Sequence, residues 1–277
     1  MCSVLIVGCG DLGGKVASQL ASEGYEVTGV RRSALSIAGV KVIQADVTDA
    51  KTLNVLSDIK PQIIIYCVAA NGQTDENYKA NYVDGLRNVL ATQQENTQLQ
   101  HVFFVSSTRV YGQKTDTLLD ETVTAIPADF GGERLLEAEA LLGTIACKST
   151  ILRLSGIYGE GRLRMINLAK SSESWPMQNS WTNRIHRDDA AAFMVFLVQS
   201  LNSQKNISPC YIVTDSAPSS QHEVLTWIAS QLKVTIPDRT PDIEGGKRLS
   251  NARLLSTGFK LQYPTFKQGY TALLLNS

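Results

Sequence analysis

A glycine-rich turn near the start of the chain constrains its fold more than any other feature. The apolar run Ser3–Val7 leads directly into Gly8-Cys9-Gly10-Asp11-Leu12-Gly13, and a helix-like segment follows. In such a strand–turn–helix unit the first glycine permits the tight turn, the second admits a pyrophosphate to the backbone, and the third lets the helix pack on the strand. The helix N-terminus adds amide donors and a positive dipole. The sequence therefore predicts a dinucleotide site rather than an ordinary glycine turn. Its predicted contacts are Gly8, Gly10, Asp11, Leu12 and Gly13.

Two arginines follow the second predicted strand, Glu26–Val30. An NAD-selective fold usually places an acidic residue there, where it binds the adenine ribose. Arg31 and Arg32 could instead bind a 2′-phosphate through charge-assisted hydrogen bonds worth about 1.5–3 kcal/mol each. The pattern favours NADP over NAD as the cofactor, with NAD still possible. A solvated basic turn would give the same sequence.

The composition excludes several classes of function. The chain has 277 residues, of which 43% are hydrophobic, so it can bury a substantial core. Because 26 basic residues balance 26 acidic ones, neither nucleic acid nor an anionic membrane is indicated as a partner. The longest apolar run, 190–198, is too short to span a bilayer. The five cysteines lack metal-binding or disulfide spacing. We expect a cytoplasmic protein with a small-molecule substrate and no metal.

Apolar strand-like runs alternate with helix-like segments over the first half of the chain, which is typical of a doubly wound, Rossmann-type parallel α/β sheet. The clearest predicted helices are Glu76–Gln94 and Glu133–Leu142. The predicted strands are Val4–Val7, Glu26–Val30, Val40–Ile43, Gln62–Cys67, Val102–Val105 and Thr150–Leu154. The pattern then becomes irregular. We predict a dinucleotide-binding core over 1–155 and a small C-terminal substrate lobe over 156–277, with some segments returning to the core.

Six ordered motifs carry a family resemblance. They are Gly8–Gly13, Ala45–Asp49, Asn81–Leu90, Val105–Gly112, Leu152–Gly159 and Arg184–Ala190. In this order they resemble the extended short-chain dehydrogenase/reductase family, the NAD-dependent epimerase/dehydratase group. The resemblance implies that Asp46 and Val47 hold the adenine, that Ala69 and Ala70 flank the cofactor, and that the backbone at Gly156-Ile157 faces the nicotinamide. It also implies a homodimer formed through the helices around 76–95 and 127–142.

The sequence departs from this family at the Tyr-x-x-x-Lys motif, in which the tyrosine exchanges a proton with the substrate and the lysine holds the nicotinamide ribose. The aligned positions carry Phe130 and Arg134. Phe130 has no proton to give, whereas Arg134 can still hydrogen-bond ribose hydroxyls. General acid–base catalysis is typically worth about 10²–10⁴ in rate, so its loss would leave a slow enzyme unless another group substitutes.

Several residues are candidates for that substitute role. Ser107 matches the family serine that bonds a substrate oxygen, but a hydroxyl of such high pKa is a poor sole acid. Tyr111 lies four residues later and could serve as a catalytic tyrosine, although a packing role is the commoner one for its Val-Tyr-Gly turn. Tyr158 has the same two interpretations. Three further titratable groups are expected to be structural or solvated: His186, Glu121 and Glu133.

The region between Gly161 and Arg184 is shorter than the substrate-binding insertion of similar nucleotide-sugar epimerases, which disfavours a large substrate. Trp175, Trp181 and Met177 could line a small pocket or pack in the core. Three functions are compatible with the sequence. The first is an atypical NADP-dependent oxidoreductase acting on a small carbonyl or alcohol. The second is a cofactor-binding sensor without turnover, and the third is a nucleotide-sugar epimerase or dehydratase.

Overall fold

The computed structural model describes residues 2–238 and 240–275, and the chain divides into two compact units. The first unit contains 1–111, 126–153 and 191–211. The second contains 112–125, 154–190 and 212–277. Compared with the predicted core over 1–155, the first unit ends at residue 153 instead of 155 in that part of the chain. It also includes the later segment 191–211, whereas 112–125 belongs to the second unit.

Thirteen strands and nine α-helices lie in the described part of the chain. The strands are Ser3–Val7 (β1), Glu26–Arg31 (β2), Val40–Gln44 (β3), Ile63–Tyr66 (β4), His101–Ser107 (β5), Thr115–Leu119 (β6), Lys148–Leu154 (β7), Gly156–Tyr158 (β8), Asn179–Thr182 (β9), Arg184–His186 (β10), Cys210–Val213 (β11), Ser219–Ser220 (β12) and Ile243–Leu249 (β13). The helices are Asp11–Ser22 (α1), Asp75–Tyr78 (α2), Gly85–Ala91 (α3), Phe130–Leu141 (α4), Arg164–Ala169 (α5), Arg187–Asn202 (α6), Gln221–Leu232 (α7), Ala252–Ser256 (α8) and Phe266–Leu275 (α9).

A seven-stranded sheet of order β11-β7-β5-β4-β1-β2-β3 forms the centre of the first unit. The pairs from β3 to β5 are parallel. Ile64, Ile65 and Tyr66 in β4 are completely buried, as expected for a strand covered on both faces. The prediction of a Rossmann-type doubly wound sheet is confirmed. Because the strand order reverses between β1 and β4, the ligand site of such a fold lies at the carboxyl ends of these two strands.

The long helix predicted from Glu76 is present but is not uniform. A π-helical turn, Lys79–Asp84, joins α2 to α3. The Tyr66 hydroxyl donates a hydrogen bond to the Asn81 backbone carbonyl inside this turn. Such π-helical insertions occur often at functional sites. This one follows directly after Tyr78, the last residue of α2.

The second unit has two small sheets of its own. One pairs β10 with β8, and the other has the order β12-β9-β13-β6. Its hydrophobic core contains Trp175, Ile228 and Phe266, among others. No helix in the described part of the chain is long and apolar enough to cross a membrane. None of the five described cysteines forms a disulfide bond.

Candidate functional site

The glycine turn at the end of β1 has the geometry of a phosphate-binding loop. Gly8 has φ +92°, and a Cβ there would lie 2.4 Å from the carbonyl oxygen of Cys67, just beyond β4. A Cβ on Gly13 would lie 2.3 Å from the Gly8 carbonyl oxygen. By contrast, a Cβ on Gly10 would meet no described heavy atom within 4 Å. Two of the glycines thus allow close backbone packing, whereas Gly10 faces open space that a ligand can enter.

The N-terminus of α1 is directed into this turn. Gly10 is its N-cap, and no described side chain caps the helix there. Asp11 is exposed at the first helical position, whereas Leu12 is buried and packs in the core. Amide donors at an uncapped helix N-terminus suit an anionic group such as pyrophosphate. Burial raises the pKa of the neighbouring Cys9 thiol to about 11, so this cysteine is a small packing residue in the turn rather than a thiolate.

The two arginines at the end of β2 differ in environment. Arg31 is half-buried, its Nη2 donates to Ser33 Oγ at 3.0 Å, and its buried Nε has no hydrogen-bond acceptor among the described residues. Arg32 is exposed and donates from Nη2 to Asn71 Oδ1 at 2.6 Å. Asn71 follows β4, so this bond joins the chain beyond β2 to the chain beyond β4. The Nε of Arg31 is too buried to contact a ligand directly, so any phosphate contact of this residue would come from its terminal nitrogens.

The residues implied as adenine and ribose contacts lie beyond β3 and β4. Asp46 Oδ1 accepts hydrogen bonds from the Thr48 backbone N–H at 2.9 Å and from the Thr48 hydroxyl at 2.8 Å. Val47 is buried, and its carbonyl accepts from Asn88 Nδ2 at 2.9 Å. Ala69 is exposed and Ala70 is half-buried. These positions lie at the same carboxyl edge as the glycine turn, because β3 and β4 are both parallel to the strands that carry it.

Ser107, the last residue of β5, and Tyr111, four residues later, carry the two predicted catalytic hydroxyl groups and have different surroundings. Ser107 is half-buried, its Oγ accepts from the Arg109 backbone N–H at 3.2 Å, and no described residue accepts its hydroxyl hydrogen. Tyr111 is completely buried, and its hydroxyl accepts from Arg153 Nη1 at 2.6 Å. Ser107 can therefore donate to a substrate oxygen, whereas the burial of Tyr111 supports the packing role and argues against the catalytic one.

Arg134 is held by two carboxylates. Its Nε and Nη2 donate to the two oxygens of Asp75 at 2.6 and 2.8 Å, and its Nη1 donates to Glu137 Oε2 at 2.7 Å. These hydrogen bonds raise the pKa of the Arg134 guanidinium and lower that of the Asp75 carboxyl. Three of the five N–H donors of Arg134 are thus engaged by carboxylates, which sets it apart from an unpaired lysine but leaves two donors for a ribose.

A second arginine, Arg109, organises the surroundings of Phe130. Its Nε donates to both oxygens of Asp129, at 2.9 and 3.1 Å, and its Nη1 donates to the Tyr78 hydroxyl at 2.7 Å. The guanidinium carbon lies 5.2 Å from the centroid of the Phe130 ring. Phe130 and Tyr78 in turn pack edge to face with centroids 5.5 Å apart. We refer to Tyr78, Arg109, Asp129 and Phe130 as the Arg109 cluster; sequence analysis singled out only Phe130 of these four.

Ile157, Tyr158 and His186 lie in the second unit. Ile157 is half-buried in β8 and pairs with Ile185 of β10. Tyr158 is buried, and its pKa is raised strongly, chiefly by desolvation. His186 is buried between the rings of Tyr158 and Tyr263, and its Nδ1 accepts from the Asp188 backbone N–H at 3.2 Å. These contacts are consistent with the structural role that sequence analysis favoured for His186.

Glu121 does not have the solvated environment expected for it. Its side chain is only 2% exposed, it accepts from the Ile212 backbone N–H at 2.7 Å, and Arg253 lies 3.5 Å away. The expectation was wrong because a pairing arginine far along the chain makes burial of the carboxylate tolerable. Glu133 in the first unit is exposed, as expected.

The three residues considered for a substrate pocket are dispersed in the second unit. Trp175 packs in the hydrophobic core, and its Nε1 donates to the Leu168 carbonyl at 3.1 Å. Trp181 lies in β9 and donates from Nε1 to Asp116 at 2.6 Å, with the Arg248 guanidinium 4.8 Å from its ring centroid. Met177 is 92% exposed. The described residues contain no group of three or more His, Cys, Asp or Glu side chains that could hold a metal ion.

Comparison with known protein families identifies the class of protein. The model of the NAD-dependent epimerase/dehydratase family matches residues 4–208, which is most of the chain. The chain therefore belongs to the NAD-dependent epimerase/dehydratase family, and the resemblance seen in its motifs is confirmed. This membership supports a nicotinamide dinucleotide as the cofactor, in agreement with the glycine turn.

Individual relatives share the whole length of the chain. Protein YeeZ of Escherichia coli is 26% identical over 278 aligned residues, covering 95% of this chain and 97% of that protein. A solved structure from Methylobacillus flagellatus, provisionally assigned as an NAD-dependent epimerase/dehydratase, is 50% identical with a TM-score of 0.91, covering 99% and 98% of the two chains. UDP-glucose 4-epimerase of Thermus thermophilus, solved with NAD, has a TM-score of 0.75 at 17% identity, covering 96% of each chain, and shares the fold.

Proposed function

We propose that this protein is an atypical, NADP-dependent oxidoreductase of the short-chain dehydrogenase/reductase type that acts on a small carbonyl or alcohol. The observation that carries the proposal is the space over Gly10 at the uncapped N-terminus of α1, with Arg31 and Arg32 at the end of the neighbouring strand. The turn suits a pyrophosphate, and the arginines suit a 2′-phosphate. A bound nicotinamide would supply or accept hydride.

Ser107 is the residue best suited to orient the substrate oxygen. Its hydroxyl hydrogen has no acceptor among the described residues, and Ser107 is the last residue of β5, at the edge where ligands bind in this fold. The bond from the Arg109 backbone N–H fixes the serine oxygen. A cytoplasmic location and a homodimer are further predictions, which cell fractionation and analytical ultracentrifugation would test.

Cofactor choice is tested by titrating nucleotide-stripped protein with NADPH and NADH while nicotinamide fluorescence is followed. Arg31→Asp removes a phosphate partner and adds repulsion, so NADPH affinity should fall at least tenfold while NADH affinity changes little. Arg164→Asp, at an exposed position in α5, makes the same change of charge and is the control. Equal NADPH and NADH affinities in the unaltered protein, or an unchanged preference in Arg31→Asp, would overturn the NADP assignment.

A cofactor-binding sensor without turnover is the second candidate. The bidentate Arg134–Asp75 pair favours it, because the residue aligned with the family lysine is already engaged by a carboxylate. A sensor would bind the cofactor tightly but would not transfer hydride to any carbonyl. A nucleotide-sugar epimerase or dehydratase would instead transfer a labelled hydride within one sugar molecule, and the low-identity epimerase structures support that activity through the fold alone.

A further inference from the structure

The phenol of Tyr78 and the guanidinium of Arg109 converge on one oxygen atom. Arg109 Nη1 donates to Gln73 Oε1 at 2.9 Å, and the Tyr78 hydroxyl donates to the same oxygen at 3.2 Å. Arg109 Nη1 also donates to the Tyr78 oxygen at 2.7 Å, which directs the phenolic hydrogen away from Arg109 and toward Gln73. An amide carbonyl oxygen therefore occupies a position with two donors, one of them carrying a transferable proton.

Gln73 is a replaceable occupant of that position. It is exposed and precedes α2, and its bond from Tyr78 is longer than the usual O–H···O distance of about 2.7–2.8 Å. Tyr78 itself is 7% exposed, and its hydroxyl is hydrogen-bonded to the exposed Gln73 side chain. A substrate carbonyl oxygen that displaced the Gln73 amide oxygen would inherit both donors.

The Arg109 side chain is fixed in place from the other side. Both carboxylate oxygens of Asp129, the N-cap of α4, accept hydrogen bonds from Arg109 Nε. A Cβ on Gly131 would lie 2.5 Å from the guanidinium carbon, so the glycine in the first turn of α4 makes room for it. The backbone N–H of Arg109 meanwhile bonds to Ser107 Oγ. One residue thus touches the proposed orienting serine, the Tyr78 hydroxyl and the Phe130 ring.

We propose that Tyr78 is the catalytic acid that replaces the phenol absent at position 130, and that Arg109 positions it. The inference rests on the proposed oxidoreductase function. In the direction of reduction, a bound reduced nicotinamide would supply the hydride for the new C–H bond at the carbonyl carbon, and the carbonyl π bond would break with its electron pair on the oxygen. The O–H bond of Tyr78 breaks, and its proton goes to the carbonyl oxygen. Arg109 stabilises the tyrosinate by charge until a proton from water restores the phenol.

Other phenols of the first unit are less suited to this role. Tyr66 is completely buried and donates to the Asn81 carbonyl. Tyr111 is completely buried and bonded to Arg153. The Tyr82 hydroxyl lies in a desolvated environment that raises its pKa. Tyr78 combines a guanidinium partner with a displaceable acceptor.

The first test is a set of variants assayed on the carbonyl that the unaltered protein reduces best. Tyr78→Phe should lower kcat at least 100-fold and leave KM and NADPH affinity within about twofold. Tyr25→Phe, between α1 and β2, is the matched control. The double variant Tyr78→Phe/Phe130→Tyr should have a kcat at least tenfold higher than Tyr78→Phe alone, because the Arg109 guanidinium lies against the rings at both positions.

Gln73→Ala separates a catalytic role for Tyr78 from a structural one. If the Gln73 amide occupies the substrate oxygen position, its removal should lower KM severalfold without lowering kcat. A Tyr78 that only anchors Arg109 would give an unchanged or higher KM in Gln73→Ala and no rescue by Phe130→Tyr. Full turnover in Tyr78→Phe would overturn the proposal for Tyr78 while leaving the oxidoreductase function intact.

A binding measurement tests the same inference without turnover. In protein labelled with ¹³C at the tyrosine ζ carbon, Tyr78→Phe assigns the Tyr78 resonance. Cyclohexanone, used as the carbonyl probe, should shift this resonance saturably and leave the Tyr25 resonance in place. In Gln73→Ala the same shift should reach half of its maximum at a lower cyclohexanone concentration. An unmoved Tyr78 resonance would overturn the proposal, and failure to bind NADPH or NADH would separately remove the proposed function.

Discussion

Replacing Gly10, Gly13 and Gly14 one at a time should separate cofactor binding from folding. Gly10→Ala places a methyl group in open space, because no described atom lies within 4 Å of the added Cβ. Gly13→Ala places one 2.3 Å from the Gly8 carbonyl oxygen, which belongs to the backbone. Gly14→Ala, one residue further along α1, makes only ordinary contacts at 3.6 Å with Cys9 and Ile37.

The sizes of the three effects follow from these distances. Gly10→Ala should change the free energy of unfolding by about 1 kcal/mol or less, the usual range for an N-cap position. If the added methyl group of Gly10→Ala prevents one charge-assisted hydrogen bond between a backbone amide and the cofactor, worth about 1.5–3 kcal/mol, the dinucleotide should bind about 10- to 150-fold more weakly. Gly13→Ala should destabilise the fold by about 1–3 kcal/mol through overpacking. Gly14→Ala should be neutral or gain up to about 1 kcal/mol of helix propensity.

Urea unfolding and fluorescence titration with NADPH measure the two quantities on the same samples. The expected pattern is weak binding with normal stability for Gly10→Ala, low stability for Gly13→Ala, and neither change for Gly14→Ala. If Gly10→Ala bound NADPH as tightly as the unaltered protein, the assignment of the open space to the pyrophosphate would be refuted. Equal destabilisation by Gly13→Ala and Gly14→Ala would refute the packing argument.

Two further predictions concern stability. Glu139 accepts two hydrogen bonds from Arg153 in a largely buried pair, so Glu139→Gln should lower the free energy of unfolding by about 3–5 kcal/mol. The control Glu133→Gln, on the exposed face of the same helix, should change it by about 0.5 kcal/mol or less. Similar urea midpoints for the two variants would contradict this prediction. Burial, with a smaller contribution from Lys148, lowers the pKa of His101 to about 4. Below about pH 6.5, His101 is therefore protonated in the unfolded chain but stays neutral in the folded chain. Through this group the free energy of unfolding should fall by about 2 kcal/mol between pH 7 and pH 5. His101→Gln should flatten that part of the pH profile of urea unfolding, and an unchanged slope would exclude His101 as its cause.

The strands of the sheet and the glycine turn could be predicted because their signals are local. Val4–Val7 and Gln62–Cys67 are continuous apolar runs, and the structure places β1 and β4 within one or two residues of those bounds. Strands β6 and β13 were missed, since Thr115–Leu119 is largely polar and Ile243–Leu249 contains two adjacent glycines and three charged residues; the two strands pair with each other although they are far apart in the sequence. Their strand character comes from that pairing rather than from composition.

The Arg109 cluster could not be predicted for a related reason. Tyr78 and Arg109 are 31 residues apart, and Arg109 and Asp129 are 20 apart, so no periodicity connects them. The departure at Phe130 was visible in the sequence and indicated that another group was needed. Which group lies beside Phe130 depends on how α2 and α4 pack, and only the folded chain contains that information.

The buried bonds of Glu139 also determine how freely the chemistry of this site can change. Glu139 lies on α4 and is bonded to Ser106 of β5 and to Arg153 of β7, so the helix is attached to two strands at a point well removed from its first turn. Positions 130 and 134 lie on the same helix but take no part in that attachment. The side chains at these two positions contact α2, through Tyr78 and Asp75, but they do not attach α4 to the sheet, so exchanging them should leave the helix axis in place.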